Sequence, residues 1–481
     1  MRSIVWFRGK DLRVADHGPL SEAAAAGEVI PLFVLDPYFF APDRARELPH
    51  RMQFLLASLA SLAANLAHLG SELILVEGRS VAVLPRLADK WKADQVLAHR
   101  WVEPFGRERD RRVGEALARE GVAFRLFEGE TLLPLGSVRN GQGGMFRIFT
   151  PFARSCGAKL DLEPALPAPR SLPPVPADIR AEAVPIPSMQ ALGLGPNPRL
   201  QEGGERAARQ RLKAFVEERL TDYGTARDRM DRPGTSRLSA DLKFGTLSVR
   251  AVWQTVAAAG AAAGAAAGAA AGAGESARRY LNELLWREFS HHLLWEWPEL
   301  LERPFRPEFA GFPWREDEAG WAAWTQGCTG YPVVDAAARQ LRAEGFVHNR
   351  ARMVAASFLT KHLLIDYRPG EAHYLRWLTD GDWAANNLGW QWSAGCGCDA
   401  QPWFRIFNPV TQGRTFDPRG DYVRRWVPEL ADCPEAFIHE PWKAPRDLRR
   451  RLDYPELIVD HAAAWERFLA VAKDHLGRPT P

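Results

Sequence analysis

What this chain has little of narrows it first. Its 481 residues hold only five cysteines (Cys156, Cys328, Cys396, Cys398 and Cys433), an odd number with no paired framework. That excludes a disulfide-stapled secreted scaffold and points to a reducing compartment. Cys396 and Cys398 form a lone CxC in GCGCD. Without a second pair this is no zinc motif, and no metal is expected. Charge is nearly balanced, with 62 Lys and Arg against 59 Asp and Glu for a net +3. Whole-chain charge therefore announces no nucleic-acid or membrane partner. No apolar run is long enough to span a bilayer, and the opening MRSIVWFRGKDLR lacks a charged-then-apolar leader pattern, so a cytoplasmic location is expected. The first strand-like run leads into RGKDLR and not GxGxxG. The pyrophosphate cradle of a nicotinamide dehydrogenase is thus missing.

What remains is an ordinary globular composition, 46% hydrophobic and 25% charged, over a length of about three domains. SIVWF, VIPLFVL, ELILVE, QVLAH and AFRLF are short strand-like runs, separated by helical patterns such as RMQFLLASLASLAANLAHLG and RERDRRVGEALAREG. The alternation predicts a doubly wound, Rossmann-like parallel sheet up to about Phe127. A proline-rich stretch from Leu162 to Pro198 reads as an extended connector. Beyond Glu202 the pattern is helical. The expected division is 1–130 for the α/β domain, 131–201 for the linker and 202–476 for an all-α domain. The Ala/Gly tract from Ala257 to Gly274 could be a weakened helix or a loop. A loop is favoured, since each glycine costs a helix about 1 kcal/mol relative to alanine. RDLRRRL near the C-terminus reads as a solvated helix face.

Most of the eighteen tryptophans lie after residue 250, and three of them fall in DGDWAANNLGWQWSAG, Asp380 to Gly395. This mixture of indoles, amides and carboxylates suits neither a helix core nor a solvent loop. Three other stretches carry comparable chemistry. TSRLSADLKFGTLS, Thr235 to Ser248, offers hydroxyls, backbone amides and Arg237 to a phosphate. YLNELLWREFSHHLLW, Tyr280 to Trp295, is an amphipathic helix with Glu283 and Trp286 on one face. TGYPVVDAAARQLRAEGFVHNRARM, Thr329 to Met353, is the third. Singly, each has a plain reading as a cap, a turn or core packing.

Together, and with IVWFRGKDLRVAD, FRIFTPF, WFRIFNPVTQG and HEPWKAP in order along the chain, they resemble the DNA photolyase and cryptochrome family, most closely its class I cyclobutane pyrimidine dimer photolyases. The resemblance implies an α/β antenna domain, a long linker and a helical domain that holds FAD. For FAD it implies Tyr223, Thr235, Ser236, Arg237, Leu238, Ser239, Tyr280, Arg287, Arg352, Asp380, Gly381, Asp382 and Asn386, with Arg352 pairing Asp380 and Asn386 facing flavin N5. There an amide can hydrogen-bond both flavin oxidation states without adding negative charge. For a flipped-out dimer it implies aromatic walls from Trp286 and Trp392, and Glu283, Asn349 and Met353 as the other lesion contacts. Enzymes for the (6-4) lesion use a histidine at the positions held here by Asn349 and Met353; His348 is displaced by one residue. Arg227, Arg350, Trp403 and Gln412 would contact DNA as positioning groups. Trp390, Tyr367 and Trp314 match an electron relay, with tyrosine where most relatives carry tryptophan.

The implied partner is UV-damaged DNA, single- or double-stranded, met by a monomer. For a second, antenna pigment the resemblance favours deazaflavin over folate, since VEPFGRERD (Val102 to Asp110) is similar to deazaflavin-binding relatives and lacks the Asn-Glu pair of folate-binding ones; an empty or flavin-filled site is the alternative. The rival reading is a cryptochrome-type light sensor. It would more often lack the Glu283–Trp286–Met353 set and carry a long tail, whereas here the last helical pattern is followed only by RPTP.

Overall fold

The computed structural model describes residues 1–265 and 271–477. Two compact units divide the chain: Met1–Gly224 with Ser236–Pro298, and Thr225–Thr235 with Glu299–Pro481.

The first unit is built on a five-stranded, wholly parallel sheet of order β3-β2-β1-β4-β5, formed by β1 (Arg2–Phe7), β2 (Glu28–Leu35), β3 (Ile74–Glu77), β4 (Gln95–His99) and β5 (Ala123–Phe127). Each expected strand-like run forms one of these strands. β1, β2 and β4 are buried almost throughout, as near-continuous apolar runs require when helices cover both faces. One face packs Val5, Phe7, Phe33 and Leu97 against Phe54, Leu59 and Leu62 of the Pro49–His68 helix. The other packs Ile4, Trp6, Leu32 and Val96 against Leu84, Leu87, Val113 and Leu117. The strand order reverses between β1 and β4, which sets a crevice at their carboxyl ends.

The Ala/Gly tract departs from the favoured loop. Residues 257–265 complete the Val249–Ala265 helix and residues 271–274 open the Ala271–Glu296 helix, while 266–270 lie outside the described residues. The reason is packing. A Cβ on Gly260 would lie 2.6 Å from the Ala277 Cβ, so glycine lets the two helices approach closely. That contact offsets the glycine penalty.

The second unit is helical. Its core gathers Trp324, Val334, Leu341, Val354, Phe358, Leu359, Tyr374, Trp390 and Phe468. The fold class is thus α/β for the N-terminal region and mostly helical beyond it. No helix among the described residues is long and apolar enough to cross a membrane. RDLRRRL forms the helix Arg446–Leu452, with its four arginines exposed and only Leu452 buried.

Candidate functional site

In the first unit the Ala271–Glu296 helix carries Tyr280, Glu283, Trp286 and Arg287. Glu288, fully buried on the same helix, accepts from the backbone N–H groups of Leu132 (2.8 Å) and Leu133 (3.0 Å), and so fixes the helix against the chain beyond β5. Arg287 donates to the Glu130 carbonyl at 2.6 Å. Trp286 is half-buried and stacks face to face on Phe149, with centroids 3.7 Å apart and planes 9° from parallel. Phe149 begins the Phe149–Lys159 helix, and its contact with Phe289 (5.9 Å) ties the stack into the core. One face of the indole is therefore held by the protein itself.

Tyr223 and Tyr280 are buried and meet edge to face at 5.2 Å. The Tyr280 hydroxyl donates to Ser236 Oγ at 3.0 Å, and burial pushes its pKa up to about 12, so it stays a donor. Arg237 has φ +57°, a conformation rare for a residue with a side chain. It is followed by Leu238 at φ −87°, ψ 1°, ahead of the short Ser239–Phe244 helix. Such alternation of left- and right-handed residues turns successive N–H groups to one side and makes an anion-binding concavity.

At the switch-point crevice, Trp101 and Trp6 are interleaved with two guanidinium groups. Arg8 lies 4.6 Å over Trp6 and 5.4 Å over Trp101, and Arg109 lies 4.4 Å over Trp101. Arg8 pairs with Asp110 at 2.6 Å, while its buried Nε and Nη2 have no hydrogen-bond partner. Asp11, His17 and His99 cluster nearby. His17 Nδ1 accepts from the Leu20 N–H, so Nε2 carries the proton when the ring is neutral; it lies 3.8 Å from Asp11 Oδ2.

In the second unit the loop Asp380–Asp382 leads into the Trp383–Ala394 helix. Asp382 caps that helix by accepting from the Ala385 N–H at 2.8 Å. Arg352 Nη2 reaches both Asp380 oxygens, at 3.1 and 2.8 Å, and its Nε donates to the Val347 carbonyl. A side chain on Gly381 would crowd the Leu375 and Leu378 carbonyls at 3.2 and 3.3 Å, which explains glycine between the two aspartates.

The adjacent asparagines divide their work. Asn387 is buried and donates to the Leu300 carbonyl and the Glu371 carboxyl. Asn386 is half-buried and donates from Nδ2 to the Glu371 backbone carbonyl at 3.1 Å. Since a carbonyl oxygen must face N–H, the Asn386 Oδ1 is the outward end. Glu371 was not singled out from sequence. Its carboxyl is buried and its pKa pushed up to about 8, so it is protonated near neutrality.

On the Asn349–Ser357 helix, Asn349 Nδ2 meets Met353 Sδ at 3.7 Å, one turn on. His348 is buried: its Nδ1 accepts from the Arg350 N–H, and burial pulls its pKa down to about 4. Arg350 pairs with Asp228 at 2.9 Å and lies 4.3 Å over Phe416. Arg227 and Trp403 are half-buried, and Gln412 Oε1 is buried without a hydrogen-bond partner. Thr235 and Trp392 also belong to this unit. Trp392 is half-buried on the Trp383–Ala394 helix. Trp390 is buried, Tyr367 is buried, and Trp314 is half-buried against Phe312 at 4.4 Å. Cys396 and Cys398 are buried, and burial raises the Cys396 thiol pKa.

In the second unit the arginine-locked Asp380 carboxylate and the outward Asn386 amide oxygen suit a flavin, and in the first unit the turn at Arg237 suits a phosphate. Comparison with known proteins agrees. Residues 3–173 match the DNA photolyase family, and residues 280–474 match the FAD binding domain of DNA photolyase. The chain is 40% identical to a deoxyribodipyrimidine photo-lyase of Thermus thermophilus, with 98% of both chains covered. It is also 40% identical to that of Vibrio cholerae, covering 98% of this chain and 100% of the relative. A crystal structure of a bacterial class III photolyase from Agrobacterium tumefaciens superposes with TM-score 0.89 at 36% identity, covering 99% of this chain and 98% of that one. The Synechocystis cryptochrome superposes with TM-score 0.86 at 30% identity, covering 98% and 99%. The chain belongs to the DNA photolyase family.

Proposed function

We propose that this protein is a light-dependent DNA repair enzyme that reverses cyclobutane pyrimidine dimers in single- or double-stranded DNA, acting as a monomer. The observation that supports the substrate is the Asn349–Met353 contact one turn apart on one helix, at the positions where the resemblance implies a histidine in (6-4) enzymes, while His348 is buried with Nδ1 bonded to the Arg350 N–H. Residues 202–476 are proposed as the FAD and lesion domain, with 1–130 as an antenna domain and 131–201 as the linker.

When bound, reduced FAD would supply light-driven electron-donor chemistry for opening the cyclobutane ring, with the electron returned, so that no net oxidant or protein acid would be needed. The residues do the rest. Arg352 holds the Asp380 carboxylate in place for the flavin. The Asn386 Oδ1 is available as an acceptor, because Nδ2 is committed to Glu371. Thr235, Ser236, Arg237, Leu238 and Ser239 hold the phosphates, and Tyr223, Tyr280, Arg287, Gly381 and Asp382 shape the remaining walls. Trp286 and Trp392 stack on the flipped pyrimidines at about 1–3 kcal/mol per base. Glu283 and Asn349 take the base edges. Arg227, Arg350, Trp403 and Gln412 position the backbone. A deazaflavin-like second pigment is proposed at the switch-point crevice, where the unpaired Arg8 nitrogens offer donors.

The test is restoration of base absorbance in irradiated oligothymidine by illuminated, fully reduced enzyme. No restoration would favour a light sensor on the same fold.

A further inference from the structure

The chain between the Trp383–Ala394 and Pro409–Phe416 helices forms no helix or strand of its own. Yet it carries Trp403 and leads into Gln412, two of the residues proposed above to position DNA. Its ends are tied locally. Gln401 Nε2 donates to the Ser393 carbonyl at 3.0 Å, and Asn408 Oδ1 accepts from the N–H groups of Val410 and Thr411. Its middle is tied from another element. Lys361 Nζ donates to the Arg405 carbonyl at 2.7 Å, and Ser357 Oγ accepts from the Phe407 N–H at 3.5 Å. Trp403 and Ile406 pack on the core only in part, and Phe404 and Arg405 are exposed, so packing alone does not fix the segment.

Lys361 is a costly residue for such a place. It is fully buried, and among the described residues its amine has one hydrogen-bond partner, that carbonyl, and no acidic one. Burial pulls its pKa down to about 7. An apolar side chain of the same length would fill the space without the cost of taking an amine out of water. The amine therefore serves the Arg405 carbonyl rather than the stability of the core. Both the ammonium and the neutral amine carry N–H, so the tie persists on either side of neutral pH. Ser357 ends the Asn349–Ser357 helix, and Lys361 lies in the wider turn that continues it, Phe358–His362, where the Leu363 N–H reaches back to the Phe358 carbonyl at 3.1 Å. Such widened turns recur at functional sites. Asn349, Arg350 and Met353 stand at the start of the same run. One continuous rod, about 18 Å from Asn349 to Lys361 at 1.5 Å per residue, thus sets the spacing between the proposed lesion contacts and the loop.

We propose that Lys361 is a positioning residue: it holds the 397–408 loop in register with the lesion contacts, so that Trp403 meets the strand beside a flipped dimer. The proposal rests on the DNA-repair reading above. Without the amine, the exposed Arg405 can turn its carbonyl to water and the loop samples other conformations. DNA must then reorder it, which lowers affinity without touching the light reaction.

The experiment compares the FAD-loaded parent with Lys361→Met, which keeps the length and removes the donor. The variant should melt at the same temperature or higher, because a buried amine has gone. Its affinity for a dimer-containing oligonucleotide should nonetheless fall about three- to tenfold, the cost of reordering one or two side chains on binding. The light yield of ring opening in the saturated complex and the flavin spectrum should match the parent's. Trypsin should cut faster after Arg405, and bound oligonucleotide should slow that cut. Ser357→Ala, which removes the longer tie, should shift affinity and cutting the same way by less. Parent-like affinity in a folded, flavin-loaded Lys361→Met overturns the proposal alone. Failure of that variant to fold, or a loss of stability and flavin alongside affinity, marks a merely structural lysine and overturns it as well. A parent that does not prefer dimer-containing over undamaged DNA overturns the repair reading and the proposal with it.

Discussion

The Trp286 indole meets Phe149 in a near-parallel stack, so its plane is set before any base arrives. A flipped pyrimidine then needs only to cover the other face. Ring pairs contribute about 0.5–1.5 kcal/mol beyond their buried area. Phe149→Ala should therefore weaken binding to a dimer-containing oligonucleotide by about that amount, and Trp286→Ala by about 1–3 kcal/mol. In both, binding to undamaged DNA should change less. Titrating damaged and undamaged duplexes side by side checks this; equal losses on both would mean that the stack serves folding only. Glu371 has a different consequence. Its buried carboxyl stays protonated up to about pH 8, while the unfolded chain ionises it near the ordinary value of 4.5. The folded state then binds more protons across that window, so stability falls as pH rises through it, by about 1.4 kcal/mol per pH unit. Glu371→Gln keeps an acceptor for Asn387 but cannot ionise. Its melting temperature should decline less than the parent's between pH 5 and pH 8. Parallel melting curves would exclude Glu371 as the source.

At the scale of elements, two helical glycines should respond oppositely to the same change. A Cβ on Gly370, in the Tyr367–Trp377 helix, would collide with the Trp390 ring and lie 2.5 Å from Leu359. Gly389, in the Trp383–Ala394 helix, has nothing within 4 Å. Helix propensity alone favours alanine by about 1 kcal/mol at both. Overpacking costs about 1–3 kcal/mol and wins at Gly370. Gly389→Ala should raise the melting temperature and Gly370→Ala should lower it; a rise in both would show that Trp390 can shift freely. The same contrast explains what sequence could convey. The five strands were legible because a parallel sheet buried on both faces writes itself as short apolar runs. The cap at Asp382 was legible because its partner, the Ala385 N–H, is also its neighbour in sequence. Glu371 in RPGEAHY and Phe149 in FRIFTPF look like ordinary helix residues. Their contacts come from partners further along the chain, namely Asn387 and Trp286. The Ala/Gly tract misled because intrinsic propensity carries no information about Ala277 packing on Gly260.

For the whole molecule, charge sets the terms of DNA binding. The net charge of +3 is small, and several arginines near the proposed site are already paired, Arg350 with Asp228 and Arg352 with Asp380. Undamaged duplex offers such a protein little beyond phosphates, and each phosphate neutralised releases counterions. Its binding should be weak and fall steeply with salt, with a logarithmic slope of about −0.9 per phosphate contact. On the proposed reading, a dimer would add stacking on Trp286 and Trp392 and hydrogen bonds to Glu283 and Asn349, none of which releases counterions. It also unstacks at low cost, because the lesion already distorts its own step. Damaged and undamaged duplexes share the same backbone contacts, so the extra affinity is nearly independent of salt, and it forms a growing share of the total as salt rises. The ratio of the two affinities should hold or increase between low and physiological ionic strength, while both affinities fall. Fluorescence anisotropy across a salt series measures this directly. A ratio that collapses with salt would mean that the lesion is recognised through added phosphate contacts, in a bent duplex, rather than by stacking and hydrogen bonds to a flipped base.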